Sequence, residues 1–203
     1  RREWLGGLDP APLVERLGLK PDRPVLLVLP GSRSSEVGRL MMPFGEAVRR
    51  ILDSGAAPQV IIPAVAHVRG LIEAASTDWP IRPHLIEGEE DKFRSFKLAT
   101  AALAASGTVT LELALCGTPA VVAYKVDAIA ARLRFLVKVP SIVLANLVLG
   151  ENVYPEFIQE DCAPEKLAEA VLPLLAETPE RRRQLELLAR IPERMAVPAG
   201  RPS

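Results

Sequence analysis

The sequence predicts a doubly wound α/β fold, a parallel sheet with helices on both faces. Three observations carry that prediction. Short apolar runs alternate with stretches of helical periodicity. The clearest run, Val25-Leu26-Leu27-Val28-Leu29, has no polar position, as a strand buried on both faces requires. The 19 prolines mostly fall at the ends of such segments.

The elements follow in order. Pro30-Gly31 closes the strand at 25–29. Across 36–52, Val37, Leu40, Met41, Phe44, Val48 and Ile51 recur at spacings of three and four and so share one helical face. Pro43, inside that pattern, predicts a kink or a later helix start. Residues 59–63 form a second strand, a helix follows near 67–75, and 83–86 is a third strand. A short helix over 90–97 opens on acidic residues, which suit the positive end of the helix dipole. The run at 101–105 is a weak strand by propensity, and its place between helices supports it. Residues 108–116 form a helix that Gly117 stops, with Pro119 behind it. A fifth strand is expected over 120–125, a helix over 128–137, and closing helices over 163–176 and 179–190.

Composition narrows the classes. The chain has 203 residues, 49% of them hydrophobic and 25% charged, which excludes intrinsic disorder. A chain of this length buries roughly 70% of its unfolded surface and needs no disulfide or metal staple. Lys plus Arg and Asp plus Glu are both 25, so the basic excess of a nucleic-acid binder is missing. Cys116 and Cys162 have no paired spacing, which fits a reducing cytosol and argues against a Cys-based zinc site. No apolar run reaches the ~18 residues of a membrane span, and the opening Arg1-Arg2-Glu3-Trp4 does not read as a signal peptide. No repeat of a solenoid occurs. The expectation is one domain over 1–203, with a lead-in at 1–23 and a closing helix and truncated tail at 177–203.

Two loops lie where such a fold binds its ligand, at the carboxyl ends of strands. The first is Leu29-Pro30-Gly31-Ser32-Arg33-Ser34-Ser35-Glu36. Gly31 allows a tight turn and close approach, helix-start amides favour anions, and Arg33 brings a planar fork of donors suited to phosphate. The alternative is a plain turn, with Ser34 or Ser35 as helix cap and Arg33 in solvent. The second is Ala105-Ser106-Gly107-Thr108-Val109-Thr110-Leu111-Glu112. Ser106 and Thr108 offer hydroxyls to an anion, and Glu112 stands one turn further on the same face as Thr108. A carboxylate there suits a ribose diol; the alternative is a capping Ser106 or Thr108 and a surface Glu112. Neither loop matches a P-loop or the dinucleotide fingerprint. His67 and His84 read as structural, and Glu87-Gly88-Glu89-Glu90-Asp91 reads as a solvated acidic helix start rather than a metal site.

Together these loops, followed by Gly117-Thr118-Pro119 and Val121-Val122-Ala123-Tyr124, resemble the lipid-A-disaccharide synthase family. The likeness continues through Leu136-Val137-Lys138-Val139-Pro140, Asn146-Leu147, Gly150, Pro155-Glu156 and Gln159-Glu160-Asp161-Cys162, in the family's order, over most of 24–176. The resemblance implies the C-terminal, Rossmann-like, donor-binding half of a GT-B glycosyltransferase. That family transfers 2,3-diacylglucosamine from its UDP conjugate to lipid X, giving the lipid A disaccharide 1-phosphate and UDP. It further implies that Gly31, Ser32, Arg33, Ser106, Gly107 and Thr108 hold the UDP phosphates, with Arg33 aiding departure of UDP, and that Glu112 binds the ribose. Asn146 is implied as a donor-sugar or phosphate contact with a catalytic part; its other reading is a turn residue bonding its own backbone. Glu156 and Gln159, one turn apart at a helix start, either touch the donor or serve the helix dipole.

The UDP-sugar is a substrate, so no separate cofactor and no metal are implied. The implied partners are the two lipid substrates and a missing N-terminal half holding the general base. The implied location is cytoplasmic, with peripheral contact on the inner membrane. The stretch 124–140, with Lys125, Arg132, Arg134 and Lys138 among apolar residues, reads either as a helix packed on the sheet or as a surface for anionic lipid. Competing readings are a UDP-N-acetylglucosamine 2-epimerase, a peptidoglycan-type GT-B transferase, and a nucleotide-binding module without chemistry. The run 136–162 favours the lipid A family over the other enzymes.

Overall fold

The computed structural model describes residues 2–125 and 144–195. Six strands form one sheet: β1 (Val25–Leu29), β2 (Gln59–Pro63), β3 (His84–Ile86), β4 (Ala101–Ala105), β5 (Ala120–Tyr124) and β6 (Glu156–Ile158). Their order is β3-β2-β1-β4-β5-β6, with every pairing parallel. That is the doubly wound arrangement, whose order reverses between β1 and β4. The helices are α1 (Arg2–Gly7), α2 (Ala11–Leu17), α3 (Ser34–Asp53), α4 (Ala66–Ser76), α5 (Glu89–Leu98), α6 (Val109–Leu115), α7 (Leu144–Leu149), α8 (Pro164–Val171), α9 (Pro179–Leu188) and α10 (Ile191–Met195).

The pleat divides the core in two. Leu26, Val28, Ala101, Leu103 and Val121 face α3, α4 and α8. Their neighbours Val25, Leu27, Ala102, Ala104 and Val122 face α2, α5, α6, α7 and α9. Burying each larger aliphatic side chain contributes about 1.5–3 kcal/mol, so the all-apolar β1 locks the centre of the sheet.

The structure corrects several sequence expectations. Helix α3 runs unbroken through Pro43, which is buried with the helix's apolar face; that packing offsets the roughly 3 kcal/mol a mid-helix proline costs. The closing helix expected over 163–176 ends at Val171 and passes into a 3-10 turn, Leu172–Leu175, that contains Pro173. The lead-in is folded rather than a simple entry: α1 and α2 pack on the second core, and Gly18 ends α2 in the left-handed conformation. Lys97 Nζ donates to the carbonyls of Leu5 and Leu8 at 2.8 and 2.7 Å, and Gln59 Oε1 and Nε2 bond Lys20, tying this segment down. Glu156 opens strand β6 rather than a helix, so a helix dipole gives it no role. The helix expected over 128–137, the lipid-facing reading of 124–140, the motif at 136–140 and the tail beyond 195 lie outside the described residues.

Candidate functional site

β1 feeds α3 on one face of the sheet, and its neighbour β4 feeds α6 on the other. The two connections part at the C-terminal rim, the usual ligand position in such a sheet. A cleft of about 870 Å³ opens there, within the range of small-molecule sites. Its walls include Gly31, Ser32 and Arg33 from the first connection and Ser106, Gly107, Thr108 and Glu112 from the second.

The first wall needs its glycine. Gly31 has φ +114°, and a Cβ there would lie 2.8 Å from Glu36 Cβ. Ser34 and Ser35 do not cap the following helix; they are its first two residues, and the cap position is Arg33, with no side-chain bond. Thr108 holds the same position before α6, also without a side-chain cap bond, while Thr110 Oγ1 donates to Gly107 O at 2.8 Å. Both helix starts thus bring amides that no side chain caps to one rim. His67, from α4, braces the first wall: its Nε2 lies 2.7 Å from Ser32 O, a bond in which the ring nitrogen donates. His84 sits on β3, where burial lowers its pKa below the ordinary 6.5.

Glu112 meets a residue that sequence patterning alone passes over. Lys92 Nζ stands 2.9 Å from Glu112 Oε2, and their side chains are 31% and 24% exposed. The contact is an ion pair rather than a directed hydrogen bond, because the buried Oε2 takes part in no hydrogen bond. The ammonium also lies 4.9 Å from the ring of Phe93 and 5.8 Å from that of Phe96. Close by, burial raises the Cys116 thiol to about 11; Lys97 opposes the rise, Glu112 adds to it, and Lys92 opposes it.

The remaining sequence candidates lie elsewhere. Asn146 is 4% exposed and turned inward. Its Nδ2 donates to Asn152 Oδ1, Tyr154 O and Glu156 Oε1 at 2.9, 3.0 and 3.2 Å, and its Oδ1 accepts from the amides of Val153 and Tyr154. Its amide is engaged within the protein, holding the segment that leads into β6. Gln159, with φ +54°, starts a 3-10 turn beside a smaller depression lined by Lys125, Glu160 and Cys162. The acidic run after β3 forms ion pairs: Glu87 with Arg69 at 2.9 Å, Glu90 with Arg94 at 2.6 Å, and Asp91 with Arg94 and Arg16. Among the described residues, no group of three or more His, Cys, Asp or Glu could hold a metal ion, and no helix is long and apolar enough to cross a membrane. Glu36, Glu87, Glu89 and Glu112 line the cleft together with Arg33, Arg39, Lys92 and Lys125, so its described wall carries no net charge.

A family model described as lipid-A-disaccharide synthetase matches residues 11–194. The chain belongs to this family. It is 46% identical over 202 residues to the lipid-A-disaccharide synthase of Rhodopseudomonas palustris strain HaA2, a match covering 99% of this chain and 51% of that protein. It is likewise 46% identical over 204 residues to the enzyme of that name from Bradyrhizobium diazoefficiens, covering 95% of this chain and 52% of that one. The chain thus spans about half the length of the curated lipid-A-disaccharide synthases it matches. Among solved structures it is similar to WaaG, a glycosyltransferase involved in lipopolysaccharide biosynthesis, at TM-score 0.53 and 17% identity. That match covers 90% of this chain and 46% of WaaG, a likeness of fold.

Proposed function

We propose that this chain is the donor-binding half of a lipid-A-disaccharide synthase, holding the UDP of a UDP-2,3-diacylglucosamine donor in the cleft between β1 and β4. One observation carries the reading. Two helix starts without side-chain caps, one of them bearing Arg33, open on a single cleft at the point where the strand order reverses. The diphosphate lies against Arg33 and the Ser106-Gly107-Thr108 turn, and the ribose hydroxyls donate to Glu112. Transfer breaks the bond between the sugar's anomeric carbon and the phosphate oxygen, and UDP leaves with the electron pair. The 6-hydroxyl of lipid X takes its place and gives its proton to a base in the remainder of the full-length enzyme.

Charge grows on the departing diphosphate as that bond breaks. A guanidinium and oriented amides already in position stabilise it there; removing one such donor costs ~3 kcal/mol. The donor sugar is a substrate, and neither cofactor nor metal enters the scheme. Its acylated substrates place the complete enzyme at the membrane surface. Calorimetry with UDP is the first test, with Arg33→Ala expected to weaken binding about 10- to 100-fold; equal affinities would remove Arg33 from the site. The second joins this chain to the rest of a family member. Failure of that two-part protein to make disaccharide from UDP-diacylglucosamine and lipid X would end the assignment.

A further inference from the structure

We propose that Lys92 is a positioning residue, holding the Glu112 carboxylate in the pose that receives the hydroxyls of a nucleotide ribose. The inference rests on the reading of Glu112 given above and adds to it the group that acts through Glu112. The two side chains arrive from different crossovers, each as the fourth residue of its helix, and meet on the wall of the cleft.

Their geometry separates charge from hydrogen bonding. The ammonium is 2.9 Å from Oε2, yet that oxygen makes no directed hydrogen bond. Lys92 therefore balances the carboxylate's charge at its buried oxygen, Oε2, and leaves the acceptor positions of the other oxygen, Oε1, of this 24% exposed side chain to a hydroxyl donor. The ammonium itself is confined. Phe93 and Phe96, each 1% exposed, fix two aromatic rings beneath it, and their faces attract it electrostatically. With the cation held on this platform, the glutamate loses the freedom to swing into solvent, and a hydroxyl donor meets a carboxylate already in place.

Binding of UDP and of 2′-deoxyUDP, measured by calorimetry, tests this on the wild type, Lys92→Met, Lys92→Arg, Glu112→Gln and the Lys92→Met/Glu112→Gln double variant. The wild type should prefer UDP by about tenfold, the worth of one charge-assisted hydrogen bond. Glu112→Gln should bring the ratio towards one. Lys92→Met should lower it at least about threefold, Lys92→Arg should restore most of it, and the double variant should lose no more than Glu112→Gln alone. Thermal unfolding of each variant accompanies the measurement, and a merely structural lysine would leave the ratio of the two ligands unchanged. Should Lys92→Met weaken both ligands equally, the lysine touches phosphate or supports the fold, and the positioning role is overturned. Should Lys92→Met keep the wild-type ratio while Glu112→Gln abolishes it, the positioning role again fails and the ribose contact stands. An unchanged ratio in Glu112→Gln, or no UDP binding by the wild type, overturns the ribose reading and this inference with it.

Discussion

Placing alanine at position 31 tests the first wall of the cleft. Gly31 has φ +114°, a conformation that L side chains rarely adopt, and forcing it costs of order 1–3 kcal/mol. The new methyl would also stand 2.8 Å from Glu36 Cβ, 3.1 Å from its Cδ and 3.3 Å from its Oε1. The carboxylate end can rotate away. The Cβ cannot, because the α3 backbone sets its position. Overpacking against such an atom adds about 1 kcal/mol or more, for a total of roughly 2–4 kcal/mol. At about 2–4 °C per kcal/mol for a chain this size, Gly31→Ala should lower the melting temperature by roughly 5–15 °C. The assay is thermal unfolding by circular dichroism, paired with calorimetry for UDP, which should bind more weakly because the turn beside Arg33 must shift. Adding Glu36→Ala should not rescue the variant, since alanine keeps the offending Cβ. Wild-type melting and wild-type UDP affinity in Gly31→Ala would refute both the turn geometry and its part in the site.

Two glycines within α3 should respond in opposite directions. At Gly45 a Cβ would come within 2.4 Å of Trp79 Nε1, whereas at Gly38 nothing lies within 4 Å. Gly45→Ala should lose a net ~0–2 kcal/mol after its gain in helix preference, and Gly38→Ala should gain ~0.5–1 kcal/mol; urea midpoints shifting the same way would contradict this. Gln184 Oε1 accepts from Ala120 N at 2.9 Å, and its Nε2 donates to Ala120 O at 3.1 Å, all buried. Gln184→Leu strands both backbone groups and should cost about 2–4 kcal/mol in urea unfolding, and a loss under about 0.5 kcal/mol would argue against the pairing. Burial raises the Cys116 thiol to about 11, so at pH 8 it is protonated and a poor nucleophile. Iodoacetamide should label it in the folded chain far more slowly than in urea, accelerating only as pH climbs towards 11; equal labelling at pH 8 would disprove the shift.

Much of this architecture is written locally. β1, β2 and β4 coincide with the expected runs because each is a short apolar or small-residue segment between helical periods. β6 escaped that logic. It is three residues long, half-buried and begins with a glutamate, so neither length nor hydrophobicity marks it. The helices of the lead-in escaped because six and seven residues carry too little period to read. Pro43 misleads for the opposite reason: a local penalty was outweighed by packing that only the fold creates.

The same division runs through the site. Gly31, Arg33 and the turn at Gly107 are legible because a glycine after a strand and before a helix has a fixed place on the sheet. Lys92 beside Glu112 and His67 beneath Ser32 join residues from separate crossovers, and only the strand order brings them together. Asn146 shows the limit from the other side, since its motif marks a structured loop while its amide bonds turn inward.

The even match of acidic and basic side chains along the described cleft has a kinetic meaning. A wall without a net monopole casts little attraction beyond a Debye length, about 8 Å in physiological salt. These wall residues by themselves give an approaching dianion little long-range steering, so the association rate of UDP with this chain is expected to change little with ionic strength in stopped-flow measurements. Selectivity begins only after contact, in how long the wall keeps what has landed.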